Sequence, residues 1–295
     1  MVSNVFVTAA TSQLGSLTVE DLLKGSESKD IQITVGVRDP AKVPKEWTSA
    51  GVKVVKADYT ENSEQWAKTL QGQDKVLLIS SNTGIGAERV QQHKNVIDGA
   101  KKAGVKILAY TSILNADRIK LILAQDHQAT EAYLKTVGLQ YVLLRNGWYT
   151  ENVFQSAAGW PHTHTHFSAA GDAKFSYASR ADYAAAAAAV LRPSFKPTKV
   201  AYELGGDKAY TLSEFTAIAS KSLGYELKHQ SLPKDDYVQV LTKNGIPEGF
   251  ANIFADADYY AEKDQSLYTE SKDLSILIGR PTEPIEEFIP KYLKK

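Results

Sequence analysis

The first half of this 295-residue chain repeats one unit: a short apolar, β-branched run, a turn, then a segment with helical spacing. The apolar runs lie at 5–8, 31–37, 52–57, 76–80, 107–111 and 141–144. Strands that alternate with helices are joined by right-handed crossovers, and that forces a parallel sheet. Several runs lack polar/apolar alternation, as strands covered on both faces do. The expected fold class is therefore α/β, a doubly wound parallel sheet. Hydrophobic residues at 43% suffice to bury its core.

The intervening segments carry helix signals. Residues 15–24 are followed by Gly25, and 89–103 by Gly104, both C-terminal stops. In the second helix Val90, His93, Ile97 and Ala100 share one face, which makes His93 a core histidine satisfied by hydrogen bonds. After Arg145 the rhythm changes. Ser179-Arg180-Ala181-Asp182 opens an alanine-rich helix with a capping-box pattern, a strand is expected at 200–204, and Thr211-Leu212-Ser213-Glu214 is a second capping box. This places a nucleotide-binding domain at 1–155, rejoined by 181–204, and a smaller C-terminal lobe on the substrate side at 156–295.

Thirty-four basic residues balance 34 acidic ones, so no bulk field draws the chain to nucleic acid or to anionic membranes. Neither is expected as a direct partner. The absence of cysteine excludes disulfides, thiol nucleophiles and Cys-ligated metals. With no signal-peptide pattern and no run of about 18 apolar residues, cytoplasmic residence is the expectation.

Behind the first strand stand Thr8-Ala9-Ala10-Thr11-Ser12-Gln13-Leu14-Gly15, in the position of a dinucleotide-binding loop. Two of the three fingerprint glycines are replaced, by Ala9 and Ser12, and side chains there crowd the approach of a pyrophosphate. The helix N-terminus still offers free amides, and Thr11, Ser12 and Gln13 add side-chain donors. At the end of the second strand, where Asp or Glu would hold a ribose 2′-hydroxyl, stands Arg38. Its guanidinium suits a 2′-phosphate and so NADPH over NADH, although Asp39 lies beside it and a solvated strand-end arginine is the plain alternative. Asp58 and Tyr59, Ser80, Ser81 and Asn82, Thr111 and Ser112, and Asn146 follow the next four strands. Any one of them could be an ordinary turn former, but they share the edge at which doubly wound sheets bind ligands.

These residues also carry a resemblance. His93-Lys94-Asn95-Val96-Ile97, Ala103-Gly104-Val105-Lys106, Ala109-Tyr110-Thr111-Ser112, Arg180-Ala181-Asp182-Tyr183, Leu277-Ile278-Gly279 and above all Leu143-Leu144-Arg145-Asn146-Gly147-Trp148-Tyr149-Thr150-Glu151-Asn152 resemble the NmrA-like, atypical short-chain dehydrogenase group, within it the NADPH-dependent quinone oxidoreductases and triphenylmethane reductases. The resemblance implies a Rossmann-type sheet in the order 3-2-1-4-5-6, a small C-terminal lobe, and NADPH in the cleft between them. It carries the phosphate loop onto Ala9, Ala10, Thr11, Ser12, Gln13 and Leu14, the 2′-phosphate contact onto Arg38, a further cofactor contact onto Arg180, and pocket roles onto Asn146, Trp148 and Tyr149. Ala9 and Ser12 depart from the group's glycines.

The Tyr-x-x-x-Lys pair of short-chain dehydrogenases has no counterpart after the fifth strand. Tyr259 and Lys263 match its spacing far from the nucleotide strands and are read as coincidence. The helix in that place offers His127 instead, either a proton donor or a polar helix-face residue. A flat quinone suits such a site because the cofactor brings the hydride and the reduced ring is a stabilised phenolate. Trp148 and Tyr149 serve as walls, unless they simply pack, and Asn146 bonds a quinone oxygen or the nicotinamide ribose. His162, His164 and His166 would share a face of an extended segment, but neighbours on one strand rarely converge on an ion. They are expected on an exposed loop or strand, without metal. The leading function is NADPH-dependent reduction of a quinone or similar acceptor. The competing one is an NmrA-like sensor of NADP(H), or a protein-binding regulator without catalysis.

Overall fold

The computed structural model describes residues 2–294. Its strands are β1 (Ser3–Val7), β2 (Ile31–Val37), β3 (Lys53–Lys56), β4 (Lys75–Leu78), β5 (Ile107–Ile113), β6 (Tyr141–Asn146), β7 (Thr165–Ser168), β8 (Ala201–Leu204) and β9 (Lys228–Ser231). The longer helices are α1 (Gln13–Leu22), α2 (Ser63–Thr69), α3 (Ala87–Lys102), α4 (Ile122–Val137), α5 (Arg180–Leu191), α6 (Leu212–Leu223), α7 (Lys234–Lys243), α8 (Glu248–Asp264) and α9 (Ile285–Leu293). Among the described residues no helix is long and apolar enough to cross a membrane.

Seven strands form one sheet in the order β3-β2-β1-β4-β5-β6-β8. The pairs β1–β2, β2–β3, β1–β4 and β4–β5 are parallel, as the strand–helix alternation requires. The order reverses between β1 and β4, and the gap at their carboxyl ends is the place where such sheets bind ligands. Every residue of β4 is buried, so both faces of the sheet are covered. Helix α1 packs on α5, and α2 on α3. The second pair meets closely because position 99 has no side chain: a Cβ there would run into Trp66 of α2. Trp66, Phe6, Leu78, Val96, Ile97 and Leu108 belong to one apolar cluster, and each such side chain contributes about 1.5–3 kcal/mol by leaving water.

The chain forms two compact units. The first comprises Met1–Ile113, Asp126–Arg145 and Arg180–Tyr202, and the second Leu114–Gln125, Asn146–Ser179 and Glu203–Lys295. The break after Arg145 comes ten residues before the expected boundary at 155. Its cause is the segment that follows β6: Phe154 packs against Phe215 and Phe288 of the second unit, with ring centroids 5.5 and 6.2 Å away. Residues 114–125 also lie in the second unit, where Asn115 Nδ2 donates to the carbonyls of Ser266 (3.1 Å) and Tyr268 (3.0 Å).

In the second unit β7 pairs with β9 in parallel, and His166 stands opposite His229. This corrects the exposed reading for His166 alone, since His162 and His164 are exposed. His162 lies in the last turn of a short helix (Trp160–Thr163), His164 follows it at φ 50° and stacks on Tyr225, and His166 is buried with Nδ1 3.3 Å from Ser156 Oγ. Burial, and then His229, push the His166 imidazole down to about 3.

Candidate functional site

The chain leaves β1 through Thr8 and turns at Ala9, whose φ of 46° lies in the left-handed region. Glycine occupies that region freely, whereas a Cβ costs roughly 1 kcal/mol there. The fingerprint turn is therefore kept by an alanine under strain. Ser12 N–H donates to Ala9 O (2.9 Å), and Ser12 caps α1 by accepting from Gly15 N at 3.1 Å. The surviving glycine is sterically required: a Cβ on Gly15 would lie 2.5 Å from Ala9 O and 2.8 Å from Ala10 Cα.

Ala9, Thr11 and Ser12 form one wall of a cleft of about 740 Å³, open mouth included, that also takes in Gly36, Arg38, Ala57, Tyr59, Trp66, Ile79, Ser80 and Asn82. The rest of the loop does not face it. Ala10 and Leu14 are buried, and Gln13 is exposed outside the lining. Thr8, expected to touch cofactor, is fully buried beneath the loop. Its hydroxyl donates to Leu77 O (3.0 Å), accepts from Ile79 N (2.9 Å) and meets Tyr59 Oη at 2.7 Å. Those bonds tie the ends of β1, β3 and β4 together under the cleft, with Tyr59 also donating to Ile79 O.

Arg38 is exposed at the cleft and makes no hydrogen bond or ion pair among the described residues. The adjacent Asp39 is not its rival, because its carboxylate is spent on the turn that follows, accepting from Ala41 N at 3.1 Å. Asp58 is likewise used locally, its Oδ1 accepting from Thr60 N and Oγ1, both at 2.9 Å. The residues lining the cleft beside it are Ala57 and Tyr59. Trp66 is one of the lining residues that sequence reasoning missed, with Gly36, Val37, Ala57 and Ile79. A lone tryptophan on a short helix carries no local signal that it reaches a strand end.

After β4 the chain passes Ser80, which lines the cleft, and Ser81, which is buried and donates to Gln92 Oε1. Thr111 is also buried; its Oγ1 accepts from Ser80 N at 2.8 Å, so it shapes the edge from behind. Ser112 donates to Glu131 Oε1 (2.6 Å), and Glu131 is paired with Arg145 at 2.7 Å.

His127, expected either as a proton donor or as a polar helix-face residue, is not among the residues that line the cleft. It is buried, with Nδ1 2.8 Å from Tyr110 Oη and Nε2 3.5 Å from Arg89. Burial, then the Arg89 and His93 charges, hold it well below the usual histidine range. Both of its ring nitrogens face other buried side chains. His93 meets its expectation: fully buried, Nε2 accepting from Ser81 N (2.9 Å) and Nδ1 2.9 Å from Thr130 Oγ1.

In the second unit Asn146 ends β6, and its buried Oδ1 has no hydrogen-bond partner, an acceptor left for an incoming donor. Trp148 lines a narrow pocket with Tyr177, Tyr237, Phe254 and Asp258, its ring edge-on to Phe254. Burial raises the Asp258 carboxyl to about 7 despite a hydrogen bond from Ala169 N. Tyr149 is half-buried and pairs through its backbone with Ala178, whereas Arg180 opens α5 in the first unit. Tyr259 and Lys263 lie on α8, in the second unit.

Residues 9–193 match the model of a family described as NAD(P)H-binding, and they contain both the strained loop and Arg38. The chain belongs to the NAD(P)H-binding family. It is 43% identical over 285 residues to quinone oxidoreductase 2 of Escherichia coli (strain K12), covering 97% of each chain. An NADPH-dependent quinone oxidoreductase of E. coli crystallised with NADPH superposes with a TM-score of 0.90 at 41% identity, over 99% of this chain and 100% of that one. Citrobacter sp. triphenylmethane reductase complexed with NADP(H) gives 0.89 at 32%, over 97% and 99%. The resemblance read from the sequence is thus borne out, and the sheet order is the one it implies. An NAD(P)H-binding chain needs a cleft at the β1/β4 switch point, small residues beside the phosphates and a cation for a 2′-phosphate; Ala9, Ser12 and Arg38 fit that group.

Proposed function

We propose that this protein is an NADPH-dependent reductase of quinones or similarly flat electron acceptors. The reading is carried by Arg38, an exposed guanidinium just past the end of β2 that has no partner among the described residues and that matches a 2′-phosphate in charge and shape. The quinone oxidoreductase relative, alike over 97% of both chains, supports the acceptor class.

NADPH, when bound, supplies the hydride. The chain's part is to hold the phosphates on the α1 N-terminus and Ser12, the 2′-phosphate on Arg38, and a flat ring against Trp148 or Tyr149. Asn146 Oδ1 accepts, so its partner is a donor such as a ribose hydroxyl, and a quinone oxygen would have to turn to the amide nitrogen. Ser112 is tied to Glu131 and His127 is buried, so neither offers a free proton donor in this structure, and this suits an acceptor whose reduced oxygen is stable as a phenolate. Arg180 is assigned to cofactor contact and Thr111 to positioning Ser80.

The second reading, an NADP(H) sensor without turnover, is favoured by Ala9 and Ser12 on the cleft wall. The test is NADPH oxidation with a simple quinone, followed by cofactor absorbance. Turnover that falls about 50-fold in Arg38→Ala with NADPH, and hardly with NADH, is expected. Equal loss with both cofactors overturns the role of Arg38, and tight NADPH binding without turnover selects the sensor.

A further inference from the structure

The cleft wall contributed by residues 80–86 is not held by its own main chain. Among the described residues no N–H of this loop donates to a main-chain carbonyl. Apart from Thr83 N–H, which donates to Ser81 Oγ within the loop at 3.2 Å, its anchors are side chains from other elements. Thr111 Oγ1 of β5 takes Ser80 N (2.8 Å), His93 Nε2 of α3 takes Ser81 N (2.9 Å), and Arg89 Nε of α3 donates to Ser81 O at 2.7 Å. At the far end the Asp126 carboxylate of α4 accepts from Gly86 N at 3.0 and 3.2 Å, ahead of the first turn of α3, where a negative charge is also favoured by the helix dipole. Arg89 Nη1 and Asp126 Oδ2, 3.3 Å apart and both nearly solvent-free, close the frame. A second chain backs it: His93 Nδ1 donates to Thr130 Oγ1 (2.9 Å), which donates to Asp126 O (2.8 Å).

We infer that the buried Arg89–Asp126 pair is a positioning device for the cofactor: it fixes the ends of the 80–86 loop and so sets where Ser80 and Asn82 stand on the cleft wall. The inference rests on the reading of this cleft as the NADPH site. The pair touches no ligand and acts through the loop. A buried pair of this kind adds little net stability, since the cost of taking both charges out of water offsets their attraction. Replacing both charges by apolar residues therefore separates a positioning role from a merely structural one: it removes the anchor without stranding a charge.

The test is the double variant Arg89→Met, Asp126→Leu beside wild type, with thermal unfolding, calorimetric titration with NADPH, and KM for NADPH and for a quinone. The expected result is a cooperative transition near that of wild type, NADPH bound about tenfold more weakly, and a quinone KM within about twofold. The single variant Arg89→Lys keeps the pairing charge but not the fork that also reaches Ser81 O, so it is expected to fold and to weaken NADPH in the same direction. It carries the test if the double variant does not fold. NADPH affinity equal to wild type in a folded variant overturns the inference alone. A wild-type protein that binds no NADPH overturns the cofactor reading and this inference with it.

Discussion

The loop after β1 and the loop after β4 both line the cleft, at the ends of paired strands, and they are held in opposite ways. The first closes on itself: the Ala9 turn, the Ser12 cap and the fit of Gly15 involve residues within seven positions of one another. The second has one local turn, Thr83 N–H donating to Ser81 Oγ at 3.2 Å, and is otherwise framed by side chains from α3, α4 and β5, as far away as Asp126. A locally held loop can change its residues and keep its shape, as the replaced glycines show. A remotely held loop depends on buried polar groups that each need a partner.

The comparison can be broken by acid. The His93 imidazole, pushed down to about 3 by burial and then by Arg89, binds protons more weakly folded than unfolded. Its contribution is complete above about 6.5 and is lost as pH falls toward 3, by about 1.4 kcal/mol per pH unit. Chemical denaturation across this range is expected to show His93→Gln with the shallower dependence; equal slopes would remove His93 from the frame. Arg89→Met alone strands the Asp126 carboxylate and is expected to cost about 3 kcal/mol by urea unfolding, against under about 1 kcal/mol if the loop held itself. In the first loop Gly15→Ala drives a methyl into Ala9 O and is expected to cost about 2 kcal/mol. The smallest effect is a gain. Ala9→Gly relieves the left-handed strain, stabilises by about 0.5 kcal/mol after the entropy of the freer unfolded chain, and tightens NADPH several-fold. Unchanged affinity would show that the methyl does not crowd the phosphates.

What the sequence disclosed follows the same division. The strand–helix alternation, the loop 8–15 and Arg38 depend on neighbours in the chain, and each was legible. The Arg89 and Asp126 roles were not, because the inward face of a helix is defined by what packs on it. His127 looked like a proton donor for that reason, and only the Tyr110 and Arg89 contacts show it as interior support. Asp58 sat at the right strand end, yet nothing in the sequence told that Thr60 would claim its carboxylate. The expected boundary at 155 and the break after Arg145 differ by a segment in which Phe154 packs on aromatic partners some sixty or more positions later.

The most direct test of the account is a calorimetric titration of the wild-type protein with NADPH and with NADH at identical salt and pH. The account predicts NADPH binding at least about tenfold tighter, the Arg38 contribution to a 2′-phosphate. Equal affinity for the two cofactors, or binding of neither, would contradict it.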